Sequence, residues 1–146
     1  MSDAHESIRN LLGTYCELMD AGAWAEVGEL FADAELVGPD GALVARGAEA
    51  VQQLYERGTH LHDGSPRTRH ITANSVLEVH GAHATGRSAY VVFQAVAGFA
   101  LQPVITGRYR DEFVRDSDGW RFARRQFFVD HFGDLSHHLT YGVPSA

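Results

Sequence analysis

The sequence predicts an α+β fold: one strongly curved, mostly antiparallel sheet wrapped round an N-terminal helix, with the element order ααββαββββ. Three observations carry the prediction. Ile8, Leu11, Leu12, Tyr15, Leu18 and Met19 recur at helical spacing and lay one apolar stripe down a helix. Four long strand-like runs then fill most of the second half of the chain, each rich in β-branched and aromatic residues. The links between them, such as His80-Gly81-Ala82 and Asp116-Ser117-Asp118-Gly119, are short and built of turn residues, so successive strands pair as hairpins. Helices first and a meander after is the α+β pattern. Wrapped round the first helix, such a sheet encloses a single apolar cavity open at one end, the kind of place small ligands favour.

Each element has its own local signal. Asp3, with Glu6 three residues on, has the form of a capping box that opens the first helix. Asp20-Ala21-Gly22 closes it, since Gly22 can take the left-handed cap conformation. A short second helix presents Trp24, Val27 and Phe31 on one face. Residues 35–38 and 43–45 read as a small hairpin about Pro39-Asp40-Gly41, and 47–57 as a third helix packing through Val51, Leu54 and Tyr55. Residues 58–66 are turn chemistry and are expected to form a mobile loop. The long strands are expected at 69–79, 84–97, 104–114 and 120–129, with the last dozen residues as a tail lying over the domain. No composition shift marks a linker, so residues 1–146 are expected to form one domain.

Composition narrows the function classes. A hydrophobic fraction of 45% and a charged fraction of 21% are those of an ordinary globular protein. A net charge of −7 argues against nucleic acid and anionic membranes as partners. No apolar run approaches a membrane span, Met1-Ser2-Asp3 opens no signal peptide, and the single Cys16 excludes an internal disulfide. A cytoplasmic location is expected.

The chemistry centres on Thr68-Arg69-His70-Ile71-Thr72-Ala73-Asn74. Strand alternation puts His70, Thr72, Asn74 and Val76 on one face and Ile71, Ala73, Ser75 and Leu77 on the other. A neutral imidazole on the concave side of a sheet is suited to act as a general base, because its ordinary pKa of about 6.5 lies near working pH. The competing reading is a strand-end histidine bonded to backbone.

Four stretches resemble the SnoaL-like branch of the nuclear transport factor 2-like superfamily. They are the run from Tyr15 through Asp20 to Trp24, the helix start Gly47-Ala48-Glu49-Ala50, the Arg69–Asn74 run, and Gly107-Arg108-Tyr109-Arg110-Asp111 leading to Trp120. The resemblance implies a cone-shaped α+β barrel with a deep apolar pocket. Members include dehydratases, a dehydrochlorinase, an isomerase, polyketide cyclases and non-catalytic binders. In the scytalone dehydratase, bile-acid dehydratase and lindane dehydrochlorinase members an Asp at the end of the first helix and a His at the start of the first long strand form the base. Asp20 and His70 match those positions, and Tyr15 matches a tyrosine five residues before that Asp. Asp20 would then accept a hydrogen bond from the second ring nitrogen and fix the tautomer; the competing reading is a solvated helix-end carboxylate. Tyr15 would assist a leaving oxygen, or else be a core aromatic. Five residues is about 140° round a straight helix, so Tyr15 and Asp20 converge only if the helix unwinds near Asp20.

Trp24, Tyr55, Asn74, Phe93, Tyr109 and Phe127 are the expected pocket lining. His60, His62, His137 and His138 read as surface residues, with no carboxylate at ligand spacing to complete a metal site. The arginines at 108, 110, 121, 124 and 125 alternate with Asp111, Glu112 and Asp116, which predicts cross-strand ion pairing on an outer face. The function expected from all this is a cofactor-free lyase, a dehydratase of a small or polycyclic apolar hydroxylated substrate. Isomerisation or cyclisation by the same base, or non-catalytic binding of a small molecule, is the alternative. A homo-oligomer, dimer or trimer, is expected because a small curved sheet leaves an apolar outer face.

Overall fold

Helix α1 (Ala4–Ala21) begins where the Asp3 carboxylate accepts the His5 backbone N–H in the computed structural model, which describes residues 3–142. Its buried stripe is Ile8, Leu12, Tyr15 and Met19, four of the six residues that predicted it. Gly22 ends the helix at φ 67°, its N–H reaching the Leu18 and Met19 carbonyls. The Ala23 N–H closes the cap onto Leu18 at 3.0 Å. The helix therefore runs unbroken through Asp20. Helix α2 (Trp24–Leu30) packs on α3 (Ala48–Gly58). Between them β1 (Glu35–Val37) and β2 (Leu43–Arg46) form the short hairpin.

The long strands are β3 (Thr68–His80), β4 (His83–Val96), β5 (Phe99–Asp116) and β6 (Gly119–Phe132), so the order is ααββαββββ as expected. The sheet runs β2-β1-β6-β5-β4-β3, with β1 parallel to β6 and every other pair antiparallel. It is curved but not closed into a barrel, because β2 and β3 remain its edges. Register shifts interrupt four of its pairings, and such bulges bend a sheet. The core lies between its concave face and the helices, where Ile8, Leu12, Val27, Phe31, Val92, Phe113 and Phe122 are buried. Gly107 permits one close approach there. A Cβ at that position would lie 2.5 Å from the Tyr90 hydroxyl and 2.0 Å from the Phe128 carbonyl, the two atoms that bond to each other across it.

The structure departs from expectation at the start of β5 and at residues 58–66, while the tail lies over the domain as expected. Strand β5 begins at Phe99, five residues before the predicted start, and runs through Pro103. Pro103 is tolerated because β6 pairs with β5 only as far as Ile105, and because the β4 pairing shifts register beside it. The segment at 58–66 is tied down, with Thr59 bridged to Leu139 and His62 to Ser65. The predicted tail packs back through Leu135 and Leu139, while its last four residues, 143–146, lie outside the described residues. No helix among the described residues is long and apolar enough to cross a membrane.

Candidate functional site

The last turn of α1 and the first residues of β3 meet at Asp20 and His70. The Asp20 Oδ1 lies 2.6 Å from His70 Nδ1. The same carboxylate accepts the His70 backbone N–H at 3.0 and 2.9 Å and the Thr68 hydroxyl at 3.0 Å. An acceptor-only carboxylate receiving three other donor contacts assigns a proton to Nδ1 from the hydrogen-bond network, and leaves Nε2 as the ring nitrogen that the carboxylate does not engage. The carboxylate thus bonds ring and backbone of one residue at once. Arg69 adds a looser contact, Nε to Oδ2 at 3.8 Å, from a side chain that is 76% exposed. His70 itself is buried. The unfavourable placement of a carboxylate at a helix C-terminus is offset by these donors.

A second histidine reaches the pair from an element that the sequence placed on the surface. His138 is only 4% exposed, and its ring stands edge-on to that of His70 with centroids 6.2 Å apart. Its Nδ1 is buried without a hydrogen-bond partner. Burial, and then the neighbouring His70, push its pKa down to about 4. The turn carrying it is fastened by His60 N–H to the His138 carbonyl, by Gln94 Nε2 and His62 Nε2 to the His137 carbonyl, and by Thr140 N–H to the Gly58 carbonyl. Leu135 and Leu139 press the turn onto the core. That apolar pair, bracketing the two histidines, is the sequence signal that pointed inward.

Tyr15 is not brought to the pair. Its hydroxyl bonds the Tyr55 hydroxyl at 2.9 Å, and its ring packs edge-on against Phe31, Tyr109 and Phe122. Because α1 stays helical through Asp20, the 140° separation persists and Tyr15 belongs to the aromatic core. Burial raises the pKa of its hydroxyl and that of Tyr55.

The expected pocket lining separates. Trp24 stacks on Tyr55 with centroids 5.8 Å apart, Tyr109 stacks on Tyr90 at 4.2 Å, and Phe127 lies beside Tyr109 in register. These side chains fill the cone's interior. Asn74 is exposed, because the bulge between Thr72 and Ser75 reverses the strand's alternation and turns Ser75, Leu77 and Val79 inward instead. Phe93 stands on the opposite face from the buried Tyr90, Val92 and Gln94.

The arginines also divide. Arg108 pairs with Asp130 and Arg121 with Asp116 at the surface, as cross-strand alternation predicts for an outer face. Arg125 and Asp111 do not: they are buried at 0% and 2% exposure in a bidentate pair of 2.8 and 2.9 Å. The guanidinium lies 3.6 Å from the centre of the Tyr109 ring and 4.5 Å from that of Tyr15. Burial opposes its charge, but Asp111 more than offsets this and holds its pKa above the ordinary value. The register shift between Glu112 and Phe113 separates this pair from Arg121–Asp116, whereas Arg108 faces outward by plain alternation with the buried Tyr109 and Asp111.

A groove of about 510 Å³ runs between α1 and the free edge of β3, with Arg9, Gly13, Cys16, Thr72 and His70 among its lining residues. A second recess lies among His62, Arg67, Val96 and His137. Among the described residues no group of three or more His, Cys, Asp or Glu side chains is placed to hold a metal ion.

A family model described as the SnoaL-like domain matches residues 1–126. No curated protein matches the chain. Among solved structures, a nuclear transport factor 2-like protein with a cystatin-like fold from Novosphingobium aromaticivorans is similar at 26% identity and a TM-score of 0.72, over 87% of this chain and 82% of that one. A protein of unknown function from Mycobacterium tuberculosis is similar at 28% identity and a TM-score of 0.71, over 86% and 71%. A second Novosphingobium aromaticivorans protein, named provisionally as a scytalone dehydratase, shares the fold at 20% identity and a TM-score of 0.71, over 97% and 90%.

Proposed function

We propose that this chain, which belongs to the SnoaL-like domain family, is a cofactor-free lyase that dehydrates a small, largely apolar hydroxylated substrate. The observation that carries the reading is the Asp20–His70 hydrogen bond of 2.6 Å at a buried imidazole. Asp20 holds the ring by Nδ1, and Nε2 takes a proton from the carbon next to the one bearing the hydroxyl. The C–H electron pair becomes the new C=C bond as the C–O bond breaks. The departing hydroxide takes the proton back from His70 and leaves as water, so the imidazole returns neutral and nothing else is consumed. Asp20 stabilises the imidazolium formed between these events. His138, close by and without a ligand of its own on Nδ1, keeps that side of His70 free of bulk water. Tyr15 receives no step, since its hydroxyl is engaged by Tyr55 in the core.

The test is incubation with a panel of cyclic β-hydroxy ketones, scored by loss of one water in the mass spectrum and by absorbance of the conjugated product. His70→Ala should slow turnover by roughly 10²–10⁴, the range for losing general-base function. Asp20→Asn should cost a similar factor, and the double variant little more, because members of one catalytic unit are non-additive. Elimination that proceeds equally fast in His70→Ala removes the reading.

A further inference from the structure

Resting on the reading of His70 as the base, the geometry points to the groove between α1 and β3 as the substrate's seat. It also points to a substrate whose apolar body carries a carboxylate at the end remote from the reacting carbon. The groove's volume of about 510 Å³ is that of a small-molecule site, whereas the cone's interior is occupied by Tyr15, Tyr55 and Tyr109. His70 lines one part of the groove and Arg9 another. Arg9 stands two helical turns before Cys16, about 10 Å along α1 at 1.5 Å per residue. Its guanidinium makes no ion pair among the described residues, in a chain whose net charge is −7. A local cation on an otherwise acidic surface draws an anionic group to that end.

Between the two, the wall mixes the apolar Leu12, Ile71 and Ala73 with polar side chains whose hydrogen bonds are partly met within the protein. Thr72 contacts the Cys16 sulfur at 3.4 Å, and Ser75 bonds Ser88 at 3.0 Å. Gly13 supplies an independent observation. It sits within α1, where glycine is less favourable than alanine, yet a Cβ at that position would meet nothing within 4 Å. No packing contact calls for a glycine there, and a large side chain at this lining position has room to project into the groove.

Diethyl pyrocarbonate, which carbethoxylates a reachable neutral imidazole nitrogen, tests the route without a known substrate, with peptide mapping to separate His70 from the other histidines. Gly13→Leu should unfold at no lower a temperature than the wild type, since leucine is the better helix former and has room, yet label His70 far more slowly. Gly13→Ala should label as the wild type does. Hydrocinnamate should slow wild-type labelling about three- to fivefold more than hydrocinnamyl alcohol, the scale of one partly exposed ion pair. Arg9→Gln should erase that difference. Unlabelled His70 in the wild type, or unchanged labelling in Gly13→Leu, overturns the route; equal protection by acid and alcohol, or none by either, overturns the carboxylate. The label reads reach, not turnover. A wrong base with the right groove therefore gives blocked labelling beside full activity in His70→Ala. The right base with a wrong groove gives lost activity beside unblocked labelling.

Discussion

Asp20 shows how one side chain serves two levels of the structure. It holds the His70 imidazole by Nδ1, and it anchors the start of β3 by accepting the His70 N–H and the Thr68 hydroxyl. His138 shows the converse, a titratable group kept from its proton. Its folded pKa of about 4 lies below the unfolded reference near 6.5, so the unfolded chain binds more protons between those values. Stability contributed by this group is therefore full above pH 6.5 and is lost as pH falls toward 4. The loss by pH 4.5 should reach about 2–3 kcal/mol, an order-of-magnitude figure from a shift of this size at 1.36 kcal/mol per unit. In urea unfolding at pH 7 and 4.5, the midpoint of His138→Gln should drop less between the two than that of the wild type. Equal drops would mean that His138 charges freely within the fold.

At the scale of elements, β5 and β6 are joined through the core by a charge pair as well as by their ladder. Asp111 and Arg125 are both buried, and the guanidinium is sandwiched among Tyr15, Tyr109 and Phe122. Removing one partner leaves an uncompensated buried charge. Asp111→Ala should therefore lower the unfolding free energy by about 3–5 kcal/mol, while the double replacement Asp111→Leu with Arg125→Met should cost clearly less. Equilibrium denaturation of the three proteins decides the matter; a double replacement as damaging as the single one would locate the cost in packing shape rather than in charge. Bulges in the sheet explain why alternation was an incomplete guide. The bulge at Thr72/Ser75 reverses the facing of β3, and the one at Glu112/Phe113, which inserts Ala123 into β6, lets Phe122 and Arg125 both face inward. Asn74 lost its predicted inward place by such a step, although the residue types on either side look regular.

The whole molecule is an open curved sheet closed over by α1 at one side and by the turn carrying His138 at its mouth. Its convex face leaves large apolar side chains in water, with Ile71 42% and Val76 49% exposed on the edge strand. Pairing of that face with a second copy would cover them, and a symmetric oligomer is the common outcome for soluble chains. Light scattering at micromolar concentration should give a mass above that of one chain. A monomer mass there would leave these side chains as ordinary scattered surface apolars.

Local physics made much of this legible in the sequence. Helical spacing marked α1, turn residues marked the hairpins, and the order of elements implied a sheet wrapped round a helix, because each of these signals acts within a few residues. The pairing of Asp20 with His70 came from the resemblance to the SnoaL-like family, since no local signal joins a helix end to a strand start 50 residues on. What no local signal carried was which polar groups the tertiary fold would bury. His138 turns inward because Leu135 and Leu139 are drawn to a core assembled from distant strands. Arg125 faces inward because a bulge and the Asp111 carboxylate across the ladder decide its side together. Tyr15 remains in the aromatic core because α1 does not unwind. Alternation and spacing are properties of one segment, whereas burial is settled by what the rest of the chain packs against it.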